Sequence, residues 1–244
     1  MKNLKLAAVC LSCLTMTGCS ALNFSVEGLI NAPKLTSEQS EIHQALIESV
    51  GSNITLKYPK NGEYRSAYVI ANIDDEPTDE AMVFYEYTSN GSEEDGLRVN
   101  ILDKDEKGKW YSVKELAGAG TDIDQVIISP MGSNNQTDVF VGYQNLTNDE
   151  KTMEIYSYTD GDFKRVALDT YSVLEPLDIN NDGYIELITI QRSTNNDTGA
   201  VTAKASMLNM KNNEITRGEN VDMCDNVTSY VSSKTGMLDS GRRA

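Results

Sequence analysis

The chain has 244 residues, of which 39% are hydrophobic and 24% are charged, a composition typical of globular proteins and unlike that of disordered or fibrous ones. Its 37 acidic and 21 basic residues give a formal net charge of −16, which excludes nucleic-acid binding as a main function because phosphate groups would be repelled. The single histidine, His43, excludes a metal site built from several histidines.

The first eighteen residues have the pattern of a signal peptide. Lys2 and Lys5 make the start of the segment positive, and an uncharged run of eleven residues follows at 6–16. That run is shorter than the roughly 20 residues of a membrane-spanning helix, but it suits the apolar part of a secretory signal. We therefore predict a signal peptide over 1–18 that is removed from the mature protein.

The signal ends at a cysteine whose surroundings resemble the bacterial lipobox. Met16 is apolar, Thr17 and Gly18 are small, and Cys19 follows them. The resemblance implies cleavage before Cys19, a thioether-linked lipid on its sulfur, and an extracytoplasmic protein held at a bacterial membrane. Because the net charge opposes attraction to anionic headgroups, the acyl chains would supply the anchoring, and residues 19–35 would form a lipid-anchored linker.

A short helix is predicted after this linker. Thr36 is a suitable N-cap, and Gln39 completes a capping box with it. Apolar residues then recur on one face as far as Gly51, which suits the position just beyond a helix. We expect the helix over 36–51, with His43 off the apolar face and solvated.

From residue 54 onward the apolar period changes from about 3.6 residues to about 2, which indicates β-strands. The pattern divides into three units of four short strands, at 66–116, 123–169 and 172–221, within a repeat domain predicted over 54–244. The second strand of each unit begins at or next to an acidic residue: Glu80, Asp138 and Glu186.

Repeated four-stranded units of this length favour a β-propeller-like fold. A β-sandwich would also contain many short strands, but it would not repeat the loop pattern. Closed propellers have about four to eight blades, so an incomplete propeller is among the interpretations. We predict an all-β, propeller-like protein of about three four-stranded blades, preceded by one short helix.

One loop, from Asp178 to Glu186, has a pattern typical of calcium binding. It reads Asp-Ile-Asn-Asn-Asp-Gly-Tyr-Ile-Glu, with oxygen-bearing side chains at its first, third, fifth and ninth positions and glycine at its sixth. Calcium takes about six to eight oxygen ligands, and a tight turn can gather them. The run matches the opening of an EF-hand-like loop, although Thr189 stands where the twelfth-position acid is expected and strands replace the flanking helices.

This run between two strands resembles the FG-GAP and VCBS-type repeats of extracellular bacterial proteins and integrin-like propellers. With the lipobox and the short helix, it makes the chain similar to bacterial VCBS-repeat lipoproteins. The resemblance implies one structural Ca²⁺, held by four side chains and by the backbone carbonyl of a tyrosine: Asp178, Asn180, Asp182, Glu186 and Tyr184. In the matching loop of unit one Pro77 replaces the glycine, and ion binding there is left open; in unit two no ion is expected.

The sequence favours a binding or scaffold protein over an enzyme. A nucleophilic triad would have to use His43, which lies on a predicted surface helix far upstream of the repeats. The abundant carboxylates single out no glycosidase pair. Four tyrosines alternate along two strands, which suits cross-strand packing or a glycan-binding face: Tyr85, Tyr87, Tyr156 and Tyr158.

We therefore predict a lipid-anchored, extracytoplasmic, propeller-like binding or scaffold protein with a structural calcium loop. Its partners would be the membrane, through the lipid on Cys19, and an unknown protein or glycan ligand. The alternative function is an extracytoplasmic hydrolase or an accessory subunit of one.

Replacing Cys19 with alanine is expected to release the protein from the membrane fraction, because the thiol that would carry the lipid is lost. Cell fractionation and the electrophoretic mobility of the product measure this. Cys13→Ala, which alters a cysteine inside the signal peptide, is the matched control and should partition as the wild-type protein does. A Cys19→Ala protein that stays in the membrane fraction would contradict the anchor.

Overall fold

The described part of the chain is built from antiparallel β-sheets and one helix. The structure is a computed structural model, and it describes residues 35–88, 96–131, 136–145, 150–179, 181–194, 197–211, 214–218, 221–225, 227–232 and 238–242. The predicted signal peptide at 1–18, the predicted lipidation site Cys19 and the predicted ligand Asn180 lie outside the described residues. All of the sheets belong to one compact unit, Gln39–Ala244.

The helix, α1, spans Ser37–Val50, and within the described residues no helix has the length and apolarity needed to cross a bilayer. The first sheet contains β1 (Ile54–Leu56), β2 (Tyr68–Ala71), β3 (Glu80–Tyr87), β4 (Leu97–Lys104) and β5 (Trp110–Ala117). The second contains β6 (Asp122–Ser129), β7 (Asp138–Gln144), β8 (Lys151–Thr159) and β9 (Asp162–Tyr171). The third contains β10 (Val173–Leu177), β11 (Glu186–Thr194), β12 (Val201–Lys211), β13 (Glu214–Arg217) and β14 (Val221–Asp225). A two-stranded sheet follows, β15 (Val227–Ser232) with β16 (Leu238–Arg242).

This arrangement confirms the all-β, propeller-like fold with one short helix. The three predicted units correspond to the runs β2–β5, β6–β9 and β10–β13, in which each strand pairs with the next along the chain. The acidic residues Glu80, Asp138 and Glu186 are the first residues of β3, β7 and β11.

Two sheets carry a fifth strand that the periodicity did not predict. β1 pairs with the end of β3 that β2 leaves open, with Ile54 opposite Tyr87. In the third sheet β13 pairs with one end of β12 and β14 with the other, because β12 is longer than either partner. In both cases two short strands share one long neighbour.

The apolar face of α1 covers the outer face of the first sheet. Ile42 and Leu46 are 0% exposed and pack against residues of β2 and β3 such as Val83. The helix starts directly after Thr36 and ends before Gly51, as predicted. His43, however, is not solvated as expected: it is partly buried, and its Nδ1 lies 2.8 Å from the hydroxyl oxygen of Tyr68.

Two further apolar layers join the sheets face to face. The layer between the first and second sheets includes Phe84, Val99 and Val141. The layer between the second and third sheets includes Phe140, Met153, Leu174 and Leu187. Strands that are buried on both faces, such as β3 and β7, therefore read as nearly continuous apolar runs.

A buried carboxylate fastens the segment between β1 and β2 to the second sheet. Asp124, on β6, is 1% exposed, and its Oδ1 accepts hydrogen bonds from Lys151 Nζ and Asn61 Nδ2, both at 2.8 Å. Its Oδ2 accepts a bond from the Tyr171 hydroxyl at 2.7 Å, and its backbone carbonyl accepts the Asn61 N–H at 2.7 Å. The charge of Asp124 is thus balanced where apolar layers surround it.

Substituting Gly142 on β7 with alanine is expected to cost about 2–3 kcal/mol of unfolding free energy. An added β-carbon would collide with the Tyr171 hydroxyl, so the ring would have to move and would lose its bond to Asp124. Urea denaturation measures the loss.

The double variant Gly142→Ala/Tyr171→Phe is the control, because it removes the colliding hydroxyl. Its loss should be smaller than the sum of the two single losses by more than about 0.5 kcal/mol. Strictly additive losses would show that the collision is not the cause.

Candidate functional site

A carboxylate closes the equivalent loop in each of the three sheets. In each loop a backbone N–H donates to a carboxylate oxygen seven residues further on, at N···O distances of 2.8, 3.0 and 2.9 Å: Ile73 to Glu80, Met131 to Asp138, and Ile179 to Glu186. The acceptors are the acidic residues that the sequence repeats at the start of the second strand. Sequence reasoning found these acids as markers of the repeat, but it missed this bond.

The predicted calcium loop of unit three forms a tight turn held by its own backbone amides. The N–H groups of Asp182 and Gly183 donate to the two carboxylate oxygens of Asp178 at 3.1 and 2.9 Å. The N–H of Tyr184 donates to Asp182 Oδ1 at 2.9 Å. Gly183 has a φ of 89°, a conformation that side chains disfavour, which accounts for glycine at the sixth position.

The donor atoms of this loop fit calcium chemically. Asp178, Asp182 and Glu186 carry hard carboxylate oxygens, and an oxygen that accepts one N–H bond keeps a second lone pair for a cation. Within the described residues, no group of three or more acidic, histidine or cysteine side chains is close enough to hold a metal ion. The predicted acid ligands Asp178, Asp182 and Glu186 are all described and do not form such a group, and Asn180 lies outside the described residues, so the calcium site stays a prediction.

The corresponding loop of unit one borders a cavity of about 190 Å³. Its wall combines the β2–β3 loop, β4 and β5 of the first sheet with the β8–β9 turn of the second. Five carboxylates line it: Asp74, Glu76, Glu80, Asp103 and Asp162. These residues come from stretches far apart in the chain, so sequence spacing alone did not indicate the cavity.

Glu80 is the most deeply buried of these acids, at 3% exposure. Its Oε2 accepts the Ile73 N–H, whereas its Oε1 has no hydrogen-bond partner within the described part of the chain. Burial raises the pKa of Glu80 to about 7, with smaller contributions from the negative charges of Asp74 and Asp103. Burial also raises the pKa of Asp74.

One lysine in the cavity wall ties the two sheets together. Lys114, on β5, donates from Nζ to Asp162 Oδ1 at 2.6 Å and to the Phe163 carbonyl at 2.7 Å. The hydrogen bond from Lys114 lowers the pKa of Asp162. The positive charge of Lys114 is thus already engaged by one of the five carboxylates.

The four alternating tyrosines do not form one exposed face. Tyr85 is buried, and its hydroxyl and that of Tyr87 donate to Glu115 Oε2 at 2.5 and 2.8 Å. Tyr156 is buried on the second sheet, and Tyr158 lines the acidic cavity. Packing and hydrogen bonding therefore account for three of them.

In comparisons with known proteins, no family model and no curated protein matches this chain.

Glu80→Gln is expected to stabilise the protein at about pH 8 and to change little at about pH 5. The folded-state pKa of Glu80 is raised, so the folded protein favours the protonated form, and stability falls as pH rises from about 4.5 to about 7. The neutral amide removes that fall, which is on the order of 3 kcal/mol. Urea denaturation of both proteins across this pH range measures the difference.

Glu76→Gln is the matched control, because Glu76 is an exposed acid of the same loop. It should follow the wild-type pH dependence. If Glu80→Gln and wild type lose stability in parallel between about pH 5 and pH 8, Glu80 does not cause the fall.

Proposed function

We propose that the chain is a lipid-anchored, extracytoplasmic binding or scaffold protein whose propeller-like domain carries one structural Ca²⁺ between β10 and β11. The observation that carries the proposal is the hydrogen bond from a backbone amide to an acidic side chain that three loops share. The third of these loops also has oxygen-bearing side chains at its first, third, fifth and ninth positions. This combination supports the resemblance to VCBS-repeat lipoproteins. The lipid on Cys19 would hold the domain at the membrane.

The five calcium ligands of the proposal have distinct tasks in the loop. Asp178 holds the turn through two backbone amides and would offer its remaining lone pairs inward. Asp182 and Glu186 would add carboxylate oxygens, and Asn180 and the Tyr184 carbonyl would complete the set. Bound Ca²⁺ would supply the positive charge that offsets the repulsion among three carboxylates within nine residues.

A binding or scaffold role agrees with how the lone histidine is used. His43 lies on α1, against the outer face of the first sheet, and its Nδ1 is hydrogen bonded to Tyr68. The side chain thereby helps to seat the helix. The ligand of the proposed function is an unknown protein or glycan.

A hydrolase, or an accessory subunit of one, is the second candidate, and Glu80 is the observation that favours it. A buried carboxyl with a pKa of about 7 at the wall of a cavity is a typical setting for a general acid. Asp103 or Asp162 would be its carboxylate partner. If this candidate is correct, a panel of chromogenic glycosides should include one that the wild-type protein cleaves and Glu80→Gln does not.

Calcium is expected to raise the melting temperature of the wild-type protein relative to EDTA. Extracellular modules bind Ca²⁺ with dissociation constants of ~10⁻⁴ to 10⁻³ M, and a hundredfold excess over Kd adds ~2.7 kcal/mol of stability. Thermal melts in EDTA and in excess Ca²⁺ measure the shift. Asp182→Ala should abolish it, because a carboxylate ligand is lost.

Glu186→Ala should abolish the calcium shift as well, and it should also lower the melting temperature in EDTA, because the Ile179 N–H loses its acceptor. Glu80→Gln is the control, since it changes the equivalent acid of unit one and should keep the full shift. Equal melting temperatures of the wild type in the two buffers would rule out the calcium site.

A further inference from the structure

We propose that the cavity beside the β2–β3 loop binds a small organic cation through an alkylammonium group that Glu80 meets at the inner wall. This inference gives the proposed binding function a ligand class, and it rests on the proposal that the protein binds a ligand. It requires neither the lipid on Cys19 nor the calcium loop of unit three, which lies on another sheet.

The cavity wall carries more negative than positive side chains, which favours a positively charged ligand. Five carboxylates line the cavity, and Lys114 is the basic residue among the described lining residues. Lys114 is already bonded to Asp162 and to a backbone carbonyl. The remaining acids stand around a concave surface, where low-dielectric walls concentrate their field and attract cations.

The unpartnered oxygen of Glu80 is the second and independent observation. Glu80 is only 3% exposed, so Oε1 has lost its water without gaining a donor from the described chain. A buried acceptor left in this way lowers stability. A proton on Oε1 would remove the charge but would need an acceptor in turn, whereas an ammonium group brings three N–H donors and a charge together.

The lining of the site suits an organic cation with an alkyl chain. Tyr111, Tyr158 and Phe163 add aromatic surface, which attracts ammonium groups and packs against alkyl chains. The volume of about 190 Å³ is below the ~300–1,000 Å³ of drug-sized pockets, which limits the ligand to a short chain.

The test is calorimetric titration of the full chain with 1,4-diaminobutane at constant ionic strength. Wild type should show saturable binding, and 1,4-butanediol, a neutral molecule of similar shape, should show none. Glu80→Gln should weaken diamine binding at least tenfold, because it replaces the inner charge but keeps an oxygen for the Ile73 N–H. Tyr158→Leu, which leaves every carboxylate in place, should weaken binding less than Glu80→Gln but measurably.

Glu41→Gln removes an exposed acid of α1 and should bind the diamine as the wild type does. A thermal melt of each variant verifies that it is folded, and Tyr158→Leu carries the test if Glu80→Gln does not fold. The proposal is overturned if the wild type shows no saturable binding, if Glu41→Gln weakens binding as much as the cavity variants, or if Ca²⁺ binds this cavity and the diamine does not. None of these results would contradict the proposed membrane anchor or the calcium loop, because membrane fractionation and the calcium melts test those separately.

Discussion

A hydrogen bond from a backbone amide to a carboxylate seven residues further along recurs in three sheets, and the loops between the first two strands depend on it. The amide lies just after the end of one strand, where the ladder no longer offers it a partner. The carboxylate begins the next strand, so the bond fixes the loop length and the pairing register together. In each sheet the accepting acid lies opposite the residue nine positions before it: Ala71 with Glu80, Ser129 with Asp138, and Leu177 with Glu186.

The same carboxylate meets different surroundings in the three loops. Asp138 is buried and also accepts a hydrogen bond from the Ser157 hydroxyl, so in the second sheet the acid serves the fold. Glu186 is only partly buried and ends the loop for which calcium binding is predicted. Glu80 is buried with one oxygen unpartnered at the wall of a cavity. The same hydrogen bond therefore places an acid in a different environment in each unit.

Some of the acidic side chains of the chain are paired with basic side chains. Asp124 is balanced by Lys151, and Glu154 by Arg165 at 2.5 Å, both on the second sheet. The two carboxylates are buried in the second sheet, where an isolated charge would be costly. Among the described residues of the cavity wall, Lys114 is the one basic partner of the acids around Glu80, and this contrast makes the first loop distinctive.

Several features were determined by the sequence alone, because they depend on local chemistry. The helix bounds follow from Thr36 and Gly51, and the β3 and β4 strands follow from period-two or continuous apolar runs with turn residues between them. The tertiary structure decided which distant residues meet. It placed His43 against Tyr68, brought Asp162 to the loop of Glu80, and gave Glu186 an amide partner. Such contacts depend on how the sheets stack, and the spacing of residues along one strand carries no information about a face supplied by another sheet.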